Sequence, residues 1–362
     1  MDDALEEHIR MTAQKGMSRA EIKQLLLKAG WPESHVAAYL EKTFKNLEKG
    51  IIIRAHAIAK KFEQNQVLEN VDFEVKTGEI FGIIGMSGAG KTTLLNALVG
   101  FVKPDQGDII LALPDGTTQS ALSNPELIKK YIGFSTQTPS FYDKLTVREN
   151  LEHFARLYGL TEQDLTRRCN ALIDLVGLKD ARDVISAHLS GGMQKRLDIA
   201  CALIHDPSIL ILDEPTADLD PILRRQLWEL IRQINEKGTT ILLASHFLAE
   251  IELLCHRIAI LQNKKIIEIG TADELSSIYS KNFQLFLATY SKDYSGILKE
   301  LERRKKYFTK VTQEAGELII ETPVPEHILA VIAAYMEKQR NIKSLHVEKP
   351  SLGKVFEAVV KR

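Results

Sequence analysis

Hydrophobic and polar positions change rhythm along the chain, and each rhythm predicts a different kind of element. Over residues 1–49 the spacing is helical. A first helix is expected to end near Met11, and Ser18-Arg19-Ala20-Glu21 forms a capping box that opens EIKQLLLKAG, stopped by Gly30. A further helix follows Trp31-Pro32-Glu33-Ser34, with Val36, Tyr39, Leu40, Thr43 and Phe44 on one face. From Ile51 the pattern alternates, which predicts strands over Ile51–Ile58 and Val71–Val75, then an apolar strand Ile80, Phe81, Ile83, Ile84. Gly107-Asp108-Ile109-Ile110 begins another strand with Pro114-Asp115-Gly116 as its turn, and the strand Tyr131–Phe134 runs on to Gln137.

Residues 138–206 return to helical spacing. Thr146-Val147-Arg148-Glu149 is a capping box before a helix with Val147, Leu151, Phe154 and Tyr158 on one face, and a second helix over about Glu162–Val176 closes at Gly177. Ile209–Leu212 and Thr240–Ala244 are continuous apolar runs, the signature of parallel strands buried on both faces. RIAILQNKKIIEIG predicts a hairpin with Lys265 at a turn position and Asn263 tolerating positive φ. Beyond residue 282, strands and helices follow in the order βαββαβ, the ferredoxin-like order, before a last helix SLGKVFEAVVKR.

These shifts divide the chain into an N-terminal helical unit (1–49), a central α/β domain (50–280) with a helical subdomain at about 138–206, and a C-terminal α+β domain (281–362). The 362 residues suffice for several cores. With 44% hydrophobic and 26% charged residues and a net charge of −1, the composition is that of an ordinary globular protein and gives no electrostatic reason to expect nucleic acid. No apolar run reaches bilayer length, and the acidic MDDALEEH start is not a signal peptide. Cys169, Cys201 and Cys255 lie far apart, suggest neither a disulfide framework nor a metal site, and are expected as buried small residues on helices.

The chemistry concentrates after the Ile80–Ile84 strand. Gly85 to Thr92, GMSGAGKT, fits G-x-x-x-x-G-K-[ST] between a strand and a helix with Leu94, Leu95, Leu98 and Val99 at helical spacing. Gly85, Gly88 and Gly90 are expected to adopt positive φ and turn backbone amides toward a polyphosphate at a helix N-terminus. Lys91 is expected at the β/γ-phosphates and the Thr92 hydroxyl on Mg²⁺. A second helix end suited to an anion opens at Ser190-Gly191-Gly192, where Ser190 caps a helix carrying Leu197, Cys201 and Ile204. Asp213-Glu214 closes the apolar run 209–212, one carboxylate placed to order Mg²⁺ and its waters, the other to take a proton from an attacking water. Taken alone, Phe62 is either an adenine-stacking ring or a strand-end core residue, Gln137 a ligand or a surface amide, and His246 reactive or structural.

The motifs occur together and in order, and over residues 51 to about 275 the chain resembles an ATP-binding-cassette (ABC) ATPase. GMSGAGKTT resembles the Walker A motif, LSGGMQKR the signature and ILILDEP the Walker B motif; Gln137, ADLD and His246 fall at the Q-loop, D-loop and H-loop, and Phe62 at the adenine-stacking aromatic. The fold implied is a P-loop NTPase with a parallel core sheet, an antiparallel β subdomain and a helical subdomain. The resemblance implies a nucleotide site of Phe62, Gly85, Met86, Ser87, Gly88, Ala89, Gly90, Lys91, Thr92 and Thr93. It implies Mg²⁺ on Thr92, Gln137 and Asp213, catalysis by Glu214, His246, Gln137 and Lys91, completion of the pocket by Ser190, Gly191 and Gly192, and Asp220 as a further nucleotide-binding residue. The site implied is composite, formed in a head-to-tail homodimer with two ATP molecules at its interface. Met86-Ser87 in place of the common Pro-Asn, and Phe62 in place of Tyr, remove no catalytic group.

SFYDKLTVREN and the tail LHVEKPSLGKVFEAVVKR further resemble ABC-2 exporter subunits. That implies a polytopic membrane permease as partner and a peripheral position on the inner face of the cell membrane, in the cytoplasm. Phe141 and Tyr142 are expected either to contact the permease or to be local core. The alternative is a soluble ABC-type ATPase of translation, repair or regulation, but neither a second cassette nor a long coiled-coil insertion is present. A P-loop kinase would lack LSGG and Ser-His, and Glu214 speaks against a module that only holds ATP. Residues 1–49 resemble three-helix modules of the ubiquitin-associated type, implying either a docking module or a helical cap.

Overall fold

The computed structural model describes residues 25–27, 36, 50–113, 117–279, 282–314, 316–338, 341–348 and 353. The predicted helices of 1–49, the turn at Pro114-Asp115-Gly116 and the last helix lie outside these residues, apart from helical positions Leu25–Leu27, Val36 and Gly353. The chain forms two compact units, Met1–Ile80 with Gly90–Leu242, and Phe81–Ala89 with Leu243–Arg362.

In the first unit, β1 (Ile51–Phe62) and β2 (Asn65–Lys76) form an antiparallel hairpin. β4 (Gln106–Ala112) pairs the other edge of β1, and β5 (Thr118–Ser120) pairs β4, giving the order β2-β1-β4-β5. Both hairpin strands outrun their predicted ends, so Phe62 ends β1 opposite Asn65 instead of lying in a connection. A contact distant in sequence also holds this end of β1: Asp105 accepts from Lys60 Nζ at 3.0 Å and from the Lys61 amide at 2.7 Å. Periodicity within Ala59–Phe62 carries no trace of that partner.

In the same unit β6 (Ile132–Ser135) pairs β7 (Ile209–Asp213) in parallel, and β8 (Thr240–Ser245) begins beside β7. All five residues of β7 are buried, as its unbroken apolar run requires. The helices are α1 (Lys91–Leu98), α2 (Pro125–Tyr131), α3 (Val147–Leu157), α4 (Glu162–Leu175), α5 (Gly191–Ala202) and α6 (Pro221–Glu236). Of these, α2 is missing from the sequence reading: it is too short for a periodic signal, and it takes Tyr131 from the predicted strand. The Thr146–Glu149 capping box is present in full. The buried face of α3 is Val147, Asn150, Leu151 and Ala155, however, and Tyr158 lies exposed beyond the helix end.

In the second unit, the part of β3 (Ile80–Ile84) from Phe81 pairs β9 (Arg257–Gln262) in parallel, and β10 (Lys265–Gly270) returns antiparallel to β9. The two-residue turn uses positive φ at Asn263 (49°) and Lys264 (72°). Lys265 is therefore the first strand residue and not a turn residue, and the side chain accommodated in the left-handed region beside Asn263 is that of Lys264. α7 (Leu248–Leu254) and α8 (Ala272–Tyr279) flank this hairpin in sequence. The remainder is β11 (Phe283–Thr289), α9 (Ser295–Glu302), β12 (Lys310–Glu314), β13 (Glu317–Thr322), α10 (Pro325–Lys338) and β14 (Ile342–Glu348). These strands form an antiparallel sheet of order β12-β13-β11-β14, the ferredoxin-like arrangement, over a core including Leu285, Leu287, Ile297, Ile320 and Ile332.

Cys169 and Cys201 are buried on α4 and α5 as expected. Cys255 is only half-buried and follows the end of α7, because the chain there is already turning into β9.

Candidate functional site

The glycine-rich loop leaves β3 and enters α1, and two of its glycines are demanded by different constraints. Gly90 caps α1 at φ 104°, a conformation that L side chains rarely adopt. Gly85 does not have positive φ, contrary to the expectation; it is required by close approach, since a Cβ there would stand 2.6 Å from the Leu261 carbonyl oxygen. Met86, Ser87 and Gly88 are exposed and Ala89 is half-buried.

In the first unit four residues of the predicted site come together. Lys91 Nζ lies 3.5 Å from Glu214 Oε1, with both side chains nearly buried. The side chain of Thr92, the next residue of α1, hydrogen-bonds the carboxylate of Asp213 at the end of β7. Burial pushes the Asp213 carboxyl above its ordinary range, the charge of Glu214 adds to this, and the Thr92 bond with the ammoniums of Lys91 and Lys195 opposes it. Its Oδ1 is buried without a hydrogen-bond partner. A buried carboxylate oxygen left open beside a threonine hydroxyl is a donor set that suits a hard divalent cation such as Mg²⁺. Glu214 has φ 48°, in the left-handed region, where a non-glycine residue costs about 1–3 kcal/mol. The turn after β7 is thus held in a strained shape at Glu214.

The signature residues begin α5. Ser190 is its N-cap and accepts from the Met193 amide at 3.4 Å, Gly191 is exposed, and Gly192 packs under Leu223. A Cβ at Gly191 would meet nothing within 4 Å. Asp220, expected at the nucleotide, is the N-cap of α6, its Oδ1 accepting from the amides of Ile222 and Leu223 at 2.8 and 3.0 Å. Gln137 is exposed just beyond β6. Phe62 is 46% exposed, which removes the core reading, and Lys60 Nζ lies 5.3 Å from its ring centroid. Phe141 and Tyr142 separate: Phe141 is core, while Tyr142 is exposed with its ring edge-on to His153 at 4.8 Å.

In the second unit Ser245 shapes the turn that presents His246. Its Oγ donates to Glu250 at 2.5 Å and accepts from the Phe247 amide at 3.1 Å, while the exposed His246 ring leans on Phe247 at 4.2 Å.

Two residues that sequence reasoning passed over are Lys195 and Asp198 on α5. Both are buried and both grip the segment carrying Gln137. Their only sequence signal is charge on a helix otherwise buried along Leu197 and Ile199–Ala202.

A family model described as ABC transporter matches residues 68–217. The chain is 32% identical over 311 residues to the linearmycin resistance ATP-binding protein LnrL of Bacillus subtilis, an alignment covering 84% of this chain and 97% of that protein. It is 32% identical over 292 residues to Nod factor export ATP-binding protein I of Burkholderia thailandensis, covering 80% and 90%. Among solved structures, an ATP-binding subunit of an ABC transporter matches with a TM-score of 0.56 at 32% identity, covering 63% of this chain and 93% of that one. An ATP-binding cassette in a dimeric post-hydrolysis state bound to ADP and Pi matches with a TM-score of 0.54 at 26% identity, covering 61% and 98%.

Proposed function

The chain belongs to the ATP-binding subunits of ABC transporters, and on that premise we propose that it is the ATPase that powers a separate membrane-spanning exporter subunit through ATP-driven closure of a head-to-tail dimer. It is an ATPase with the P-loop fold of that family. The observation that carries the proposal is the buried cluster of Lys91, Thr92, Asp213 and Glu214, which joins a phosphate-seeking helix start to two carboxylates at a strand end.

The roles follow from the chemistry of each group. The loop Gly85–Thr93 wraps the polyphosphate with backbone amides, Phe62 offers its exposed ring to the adenine, and Lys91 turns from Glu214 to the β/γ-phosphates. Thr92, Asp213 and Gln137 hold Mg²⁺, which neutralises charge on the phosphate oxygens. Glu214 takes the proton of the attacking water, and His246 holds the γ-phosphate. Ser190, Gly191 and Gly192 of a second chain close the pocket, with Asp220 holding the D-loop through its cap on α6. Catalysis is positioning and charge stabilisation in a site shut by the dimer.

Among the described residues no helix is long and apolar enough to cross a membrane. The exposed Tyr142, on the segment after Gln137, is the contact we assign to that permease. The names of the relatives, one a resistance protein and one an export protein, support an export role over a soluble one. The test is gentle lysis and purification of the full chain at native expression. Recovery with a polytopic membrane protein is expected, and recovery as a free protein with no membrane partner overturns the transport reading.

A further inference from the structure

The segment after β6 carries Gln137, and two buried side chains of α5 hydrogen-bond it at several points. Lys195 of α5 donates from Nζ to the carbonyl oxygens of Thr136 at 2.7 Å and Gln137 at 3.4 Å. Nearly one turn further along α5, one oxygen of Asp198 accepts from Ser135 Oγ at 2.5 Å. The other accepts from the Ser140 amide at 2.7 Å and the Ser140 hydroxyl at 2.8 Å. Lys195 is 7% exposed and Asp198 is fully buried. Charges so far from water persist only when paired and hydrogen-bonded, and removing one partner of such a set is costly. Here the partners are the two ends and the middle of a six-residue stretch, 135–140, whose Gln137 is exposed.

The same helix starts at Gly191 with Ser190 as its cap. Lys195 and Asp198 therefore stand within two turns of the Ser190-Gly191-Gly192 end. We infer that Lys195 and Asp198 are positioning residues that make the Gln137 segment and the Ser190-Gly191-Gly192 helix end one mechanical piece, coupling the two ATP sites of the dimer. The inference rests on the head-to-tail reading above. In that dimer Gln137 serves its own chain's nucleotide while Ser190 serves the partner's, so a shift of Gln137 on binding ATP displaces the residues that complete the opposite site. Coupling between sites is a free energy, and packed contacts with two discrete arrangements can carry it.

The test uses the full chain carrying Glu214→Gln, so that nucleotide binds without turnover, titrated with trinitrophenyl-ATP. The parent is expected to bind with a Hill coefficient above 1 and up to about 2, the number of sites. Lys195→Met is expected to bring the coefficient to about 1 while the folded protein still binds. Lys195→Arg is expected to restore it, because a guanidinium can donate to the same carbonyls. Ser140→Ala removes one hydroxyl of an exposed residue, leaves the fold intact, and is expected to lower the coefficient part of the way. A merely structural role predicts a lower thermal midpoint with unchanged cooperativity in the folded fraction, and that result overturns the inference. A cooperative parent with an equally cooperative Lys195→Met overturns the inference alone. A parent that binds without cooperativity overturns the inference, and failure of the mixed-chain complementation described below identifies the head-to-tail reading as the cause.

Discussion

The ammonium of Lys91 stands 3.5 Å from Oε1 of Glu214, with side-chain exposures of 7% and 10%. On the roles proposed above these are the general base and the phosphate-binding lysine, held as an ion pair. A triphosphate that drew the lysine away would leave the carboxylate to water, so that binding would also activate the base.

Glu214→Gln keeps the shape and a hydrogen-bonding group beside Lys91 but loses the proton acceptor. ATP binding is expected to persist while hydrolysis falls by on the order of a hundredfold or more, the scale for removing a general base. Single-turnover kinetics check this, and an unimpaired rate removes Glu214 from the role.

Chains altered at Lys91 and chains altered at Ser190 are each expected to be inactive alone. Mixed, they form dimers with one intact composite site, and ATPase activity is expected to return to about half of the wild-type rate per mixed dimer if the sites turn over independently. Activity no better than either variant alone sinks the head-to-tail geometry.

Gly191→Ala tests the surface proposed to meet the partner's nucleotide. The added methyl meets nothing within 4 Å in its own chain, and alanine favours a helix over glycine by about 1 kcal/mol. The thermal midpoint is expected to hold or rise while ATPase activity falls roughly tenfold or more, a loss of about 1.4 kcal/mol or more in transition-state stabilisation. A stable and fully active variant places the γ-phosphate contact elsewhere.

His205 gives a pH signature. Burial holds it down to about 4, against the favourable bond its Nε2 donates to the Ile132 carbonyl, and its ring stacks on Tyr158 at 3.9 Å. The unfolded chain binds its proton near pH 6.5 and the folded chain only near 4, so stability is full above about 6.5 and drains as pH falls toward 4. Allowing for partial exposure, the loss is about 2 kcal/mol. His205→Phe keeps the stacking and is expected to flatten this acid limb in denaturant titrations from pH 7 to 4; an unchanged slope refutes the assignment.

Features whose causes are local were legible in the residues. The Gly88–Thr92 turn into α1, the Thr146–Glu149 and Ser190 caps and the apolar run Ile209–Leu212 each depend on neighbours within a turn or a strand, so residue type and spacing suffice to predict them. The order βαββαβ was legible too, while the pairing order β12-β13-β11-β14 came only from the fold.

What the tertiary structure alone decided are relationships between residues far apart in the chain. Phe62 was left exposed at the end of β1, where Asp105 holds Lys60 and Lys61. Lys91 met Glu214, and Asp213 was left with an open oxygen, only when α1 and the end of β7 came together. The phosphate loop and the Ser190 helix end are read from spacing; the Lys195 and Asp198 clamp on Ser135–Ser140 is not, because burial of a charge has no local pattern and is known only from what surrounds it.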